Sequence, residues 1–128
     1  MKGKLVAIVD DDEFVREALP DLLGSFGLQA QSFASAKAFL AADSLGQAGC
    51  LVLDVAMPGM SGPELQLELR RLGRDIPIVF ITANTDEVLR PTVMKRGAVA
   101  LLRKPFSEEA LLKAVNAALE LGEDLPCN

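Results

Sequence analysis

Residues 5–12, Leu5-Val6-Ala7-Ile8-Val9-Asp10-Asp11-Asp12, set an unbroken apolar run directly against three aspartates. Five consecutive apolar residues leave no polar face at a two-residue period, so the run reads as a strand covered on both sides. Strands of that kind belong to parallel sheets with helices packed above and below. The same signature returns, nearly continuous, at Cys50–Leu53, Ile76–Ile81 and Ala98–Leu102. Leu28–Phe33 departs from it, because Gln29, Gln31 and Ser32 interrupt Leu28, Ala30 and Phe33. That pattern is a half-exposed edge strand.

Helical signals fill the gaps. Asp12 is placed to cap a first helix over roughly Glu13–Phe26, and Ser35 a short one carrying Ala36, Phe39 and Leu40. Gly62-Pro63 opens another, with Leu65, Leu69 and Leu72 on one face. Ser107 caps the last, with Glu108 and Glu109 in its first turn and a Phe106–Leu111 staple. Its expected buried face is Leu111, Val115, Ala118 and Leu119. Pro20 falls inside the first helix, where it deletes a backbone bond at a typical cost of ~3 kcal/mol unless the helix kinks. Pro91 sits inside a nominal helix over Asp86–Arg96, which is relieved if the regular helix starts at or just before it. Strand then helix, five times over, predicts a doubly wound α/β fold: a five-stranded parallel sheet with right-handed crossovers, flanked by helices on both faces.

The chain is 128 residues long, 50% hydrophobic and 24% charged, the balance of one globular domain. We place that domain at residues 1–122, with 123–128 as a tail or a truncated linker. A net charge of −5 argues against direct nucleic-acid binding. The absence of histidine removes His-based triads, His metal ligands and any phosphohistidine. Cys50 and Cys127 lack metal spacing; Cys50 reads as core, and a reducing cytoplasm is expected. No apolar run reaches the ~18–20 residues of a membrane span, and the first residues do not form a signal peptide.

In such a sheet the ligand site lies beyond the carboxyl ends of the strands. Asp10–Asp12 follow the first strand, Asp54 ends the third, Thr82 the fourth, and Lys104-Pro105 follow the fifth. In the order 2-1-3-4-5 these polar groups share one rim. Converging carboxylates raise one another's pKa unless a cation intervenes, and an all-oxygen donor set suits Mg²⁺. Asp54 then reads as both ligand and nucleophile, with Lys104 and Thr82 addressing phosphoryl oxygens. Taken singly each residue has a plainer reading: a helix cap, a turn acid, a strand-end hydroxyl or a solvated charge. The four motifs in order argue otherwise.

Val9-Asp10-Asp11-Asp12, Asp54-Val55-Ala56-Met57-Pro58-Gly59-Met60-Ser61-Gly62, Ile81-Thr82-Ala83 and Lys104-Pro105-Phe106 resemble the receiver domain of two-component response regulators, over about residues 4–121. The flavour of Met57–Gly62 and Gly97-Ala98-Val99 resembles the subclass often followed by a helix-turn-helix output domain. The resemblance implies a flavodoxin-like receiver fold with strand order 2-1-3-4-5 and a phosphorylation-controlled switch, a phosphoprotein of a phosphorelay and not a classical enzyme. Asp54 matches the phosphoacceptor, Asp11 the direct Mg²⁺ ligand and Asp10 its partner through water. Ala56 matches the residue whose carbonyl completes the metal shell, Thr82 the switch hydroxyl, and Lys104 the family lysine with a cis bond to Pro105. It further implies a histidine kinase or phosphotransfer protein as donor, an output domain or partner protein, and a homodimer on phosphorylation.

Leu101 stands where the family usually carries Tyr or Phe, and Ala56 and Asn84 occupy positions that tune acyl-phosphate hydrolysis. Two alternatives use the same residue types. A dehalogenase-type aspartyl phosphatase shares Asp, Thr, Lys and Mg²⁺, but places a second acid where this chain has Ala56. A non-phosphorylated binding module, such as an FMN binder, lacks a phosphate loop here and would meet Asp10–Asp12. The switch is expected in the loop Ala83–Arg90, beside a partner surface containing Val93, Met94, Leu101 and Leu102.

Overall fold

The computed structural model describes residues 5–83 and 89–124. Five strands, β1 (Leu5–Val9), β2 (Gln29–Phe33), β3 (Ala48–Asp54), β4 (Ile78–Thr82) and β5 (Ala100–Arg103), alternate with helices α1 (Glu13–Ser25), α2 (Ala36–Leu40), α3 (Gly62–Arg71), α4 (Leu89–Lys95) and α5 (Glu108–Asp124). A short 3₁₀ helix, Asp43–Gln47, precedes β3. The strands form one parallel sheet in the order β2-β1-β3-β4-β5. This is the expected order, with β2 as the polar edge.

Alternation within the apolar runs divides the core in two. Ala7, Val9, Leu51, Leu53, Ile78 and Phe80 pack against α2, α3 and α4 through Phe39, Leu65, Leu69 and Val93. Val6, Ile8, Cys50, Val52, Val79 and Ile81 pack on the other face against Leu19, Leu23, Leu111, Val115 and Ala118 of α1 and α5. Each successive residue of a central strand therefore meets a helix, which is why these runs carry no polar positions.

Local chemistry sets the helix starts. The Asp12 carboxylate accepts from Phe14 N at 2.9 Å, the Ser35 hydroxyl from Ala38 N at 3.1 Å, and Ser107 Oγ from Ala110 N at 3.0 Å. At α3 the cap is a full capping box: Ser61 Oγ accepts from Glu64 N, and Glu64 Oε1 from Ser61 N at 2.8 Å. That hydrogen bonding holds the Glu64 carboxyl below its usual pKa. Pro20 lies within a continuous α1, which forgoes the bond its N–H would have given the Arg16 carbonyl. Pro91 lies within α4 as described, Leu89–Lys95.

Several sequence expectations shift. Ile76 and Pro77 precede β4, because Pro77 has no N–H for the ladder, although its carbonyl accepts from Leu51 N at 2.9 Å. Ala98 lies in the turn that closes α4, its N–H bonding Val93 O at 3.1 Å, and β5 begins only at Ala100. Leu72 caps α3 and is 45% exposed instead of joining Leu65 and Leu69 inside. Helix α5 runs to Asp124, past the expected edge of the domain at 122. Val93 and Leu101 are core, 0% and 7% exposed, because α4 turns Val93 inward and Leu101 joins the same cluster from β5. They cannot belong to a partner surface, of which Met94 and Leu102 retain access. Most of the expected switch loop, residues 84–88, lies outside the described residues. No helix among the described residues is long and apolar enough to cross a membrane.

Candidate functional site

Strands β1 and β3 are neighbours, and their carboxyl ends bring Asp10 and Asp54 side by side. Asp10 is fully buried and Asp54 nearly so, while Asp11 on the next residue is exposed. One carboxylate oxygen from each of the three lies within 4.8 Å of the others. Asp10 is held in place by its neighbours: Asp12 N donates to its Oδ1 at 2.8 Å and Arg16 Nη1 to its carbonyl at 3.1 Å. The role of Arg16 was not legible in the sequence, because it depends on the first turn of α1 folding back over the strand end.

Lys104 arrives from beyond β5. Its backbone N–H donates to Thr82 O at 2.7 Å, and Lys104-Pro105 is a cis peptide bond. The Lys104 ammonium donates to Asp10 Oδ2 at 2.9 Å and lies 3.7 Å from Asp54 Oδ1. Partial burial works against the charge on Lys104, but the hydrogen bond to Asp10 and the charge of Asp54 outweigh it and raise its pKa. Thr82, almost fully buried, ends β4 next to the strand that carries Asp54. Ala56 sits exposed two residues after Asp54. Met57 is buried in the core and Met60 packs against it.

Burial pushes the Asp54 carboxyl up to about 7, reinforced by the charge on Asp10 and opposed by Lys104, with Asp11 adding a further rise. One ammonium does not neutralise three carboxylates. The donor set is three hard oxygens with no nitrogen or sulfur, which fits an oxygen-preferring divalent cation.

Gly62 is a further site residue whose reason was hidden. A Cβ there would collide with the Asp54 carbonyl oxygen and lie 3.1 Å from Phe80 Cε1. Glycine lets α3 begin against the residue that carries the site's central carboxylate, with Gly62 N donating to Val55 O at 2.9 Å.

The profile of the response regulator receiver domain matches residues 6–116. The chain belongs to this family. The receiver is 45% identical over 120 residues to the response regulator protein TodT of Pseudomonas putida, covering 94% of this chain and 53% of that protein. It is 44% identical over 114 residues to the transcriptional regulatory protein FixJ of Azorhizobium caulinodans, covering 89% of this chain and 54% of that one. The chain thus spans about half the length of the curated relatives it matches. Among solved structures, the response regulator StyR superposes with a TM-score of 0.88 at 48% identity, over 94% of this receiver and 61% of that chain. FixJ-N superposes at 0.85 with 38% identity over the whole of both chains. Receivers of this kind are signalling proteins of two-component systems, which is the reading the motifs supported.

Proposed function

We propose that the receiver accepts a phosphoryl group on Asp54 from the phosphohistidine of a histidine kinase or phosphotransfer protein. The observation that carries this is the convergence of Asp10, Asp11 and Asp54 within 4.8 Å, with Lys104 against two of them. An Asp54 carboxylate oxygen attacks phosphorus and the P–N bond breaks; the donor leaves as neutral imidazole, taking the bonding pair on the former P–N nitrogen and keeping the proton already on its other ring nitrogen. Lys104 exchanges part of its contact with Asp10 for a phosphoryl oxygen, and the Thr82 hydroxyl bonds another. Asp10, Asp11, Asp54 and the Ala56 carbonyl hold Mg²⁺, which when bound neutralises charge on the transferring group.

Attack requires the Asp54 carboxylate, and a carboxyl raised to about 7 is only partly ionised at neutral pH without a cation. The receiver through the end of α5 constitutes the switch and acts on an output domain or partner protein, with homodimerisation on phosphorylation. Cytoplasmic location follows from that role. A dehalogenase-type phosphatase is disfavoured, since no acid stands two residues after Asp54.

Incubation with Mg²⁺ and a small phosphodonor tests the assignment by intact mass. One phosphoryl group is expected on the wild-type chain and none on Asp54→Asn or with EDTA. Equal labelling of Asp54→Asn would overturn it, and turnover of phosphate esters would favour the phosphatase.

A further inference from the structure

At the end of the sheet opposite Asp54, where β4 begins, lies a cleft of about 290 Å³. Two helix ends frame it. Helix α3 closes at Gly73 (φ 73°), with Arg74 N donating to Leu69 O at 2.8 Å. Helix α4 closes the same way at Gly97 (φ 101°), with Ala98 N donating to Val93 O at 3.1 Å. Left-handed glycines at both ends turn the chain sharply, and Arg70, Arg74 and Arg96 line the cleft beside these turns.

Beside the arginines, Leu69, Ile76, Pro77 and Val99 give the lining an apolar part, together with Leu67 and Leu121, which are 44% and 51% exposed. Among the described residues none of the three arginines is in an ion pair. Asp75 is the acidic residue of the lining, so guanidinium charge dominates this cleft although the chain carries a net −5. Helix carboxyl ends offer carbonyls and no N–H donors, so an anion here would be held by the guanidinium forks. Gln66, also in the lining, is 6% exposed. Its Nε2 donates to Val93 O at 3.2 Å, and its Oε1 has no partner among the described residues, an unmet buried acceptor.

We propose that this cleft is a second ligand site, for a small carboxylate with an apolar body. The volume suits roughly ten heavy atoms. The apolar lining takes the body, and Arg70, Arg74 and Arg96 take the carboxylate. Because Gln66 bonds the Val93 carbonyl, an occupant also bears on the end of α4. The site is independent of the acidic rim, which lies at the other end of the strands.

Titration of the isotopically labelled chain with octanoate, followed by amide chemical shifts, tests this. Saturable shifts are expected at Gln66–Ile78 and Arg96–Val99, in roughly the millimolar range. Octanol, which keeps the body and removes the charge, should bind at least about tenfold more weakly. Arg70→Ala/Arg96→Ala should weaken octanoate by a similar factor, while Arg71→Ala, whose partner is Glu68 on the exposed side of α3, should not. The proposal fails if octanoate gives no saturable shift by about 20 mM, if octanol binds as tightly, or if the shifts centre on Asp10 and Asp54. The octanol comparison uses the wild-type chain, so it decides the matter even where a double variant misfolds.

Discussion

Replacing Gly62 by alanine probes how tightly α3 is set against β3, the strand that carries Asp54. The added Cβ would overlap the Asp54 carbonyl oxygen and come within 3.1 Å of both the Asp54 carbonyl carbon and Phe80 Cε1. Two of these three atoms are backbone, so no side-chain rotation relieves the clash, and the start of α3 must withdraw. Overpacking of this kind costs about 1–3 kcal/mol. Withdrawal also stretches the 2.9 Å bond from Gly62 N to Val55 O, for roughly another 0.5–1.5 kcal/mol. The sum is a loss of about 1.5–4.5 kcal/mol, or a fall in Tm of roughly 5–18 °C for a domain of this size. With no Trp or Tyr in the chain, urea unfolding followed by far-UV circular dichroism is the suitable assay. Gly24→Ala supplies the internal control. Its Cβ meets nothing within 4 Å in exposed helix, and it should gain about 0.5–1 kcal/mol. A Gly62→Ala midpoint within about 0.5 kcal/mol of wild type would refute the close approach.

Other expectations follow from the same geometry. Between about pH 4 and 7 the folded, metal-free chain retains a proton on Asp54 that the unfolded chain has released; stability from this group is therefore complete below about pH 4 and lost as pH rises through about 7. Asp54→Asn should flatten that part of the pH–stability curve, and an unchanged slope would show that another group is responsible. Asp11→Ala should abolish the Mg²⁺-induced rise in Tm while raising Tm without metal, since it relieves repulsion at the rim; undiminished Mg²⁺ affinity by titration would contradict its role as ligand. Burial pushes the Cys50 thiol up to about 12, so in a Cys127→Ser background it should resist iodoacetamide at neutral pH until the chain is unfolded. Ser61→Ala should cost about 1 kcal/mol through loss of the α3 cap, measured by the same urea assay.

The strands, the edge strand and the rim were legible because they rest on one-dimensional signals, while the order of the strands came with the family resemblance. An apolar run without polar interruption requires cover on two faces, and parallel strands place their carboxyl ends together. Asp10, Asp54, Thr82 and Lys104 therefore fall at one rim as soon as the strands are known, and Asp12, Ser35 and Ser107 cap within three residues of themselves. The Ser61/Glu64 capping box is equally local, yet the sequence reading started α3 at Gly62-Pro63 and did not name it. What only the tertiary structure decided depends on separations the chain does not encode nearby. The inward turn of Val93 and Leu101 removed them from the expected surface, because which side of α4 and β5 is covered depends on how α3 and α4 pack. The glycine at 62 reads as a helix start beside Pro63, yet its necessity comes from the Asp54 carbonyl behind it. Arg70, Arg74 and Arg96 are unremarkable in sequence, and share a cleft only because two helices end at the same corner of the sheet. Local patterns determine which elements form and which ends face the chemistry. The distances that set charge and contact arise when distant elements close on one another.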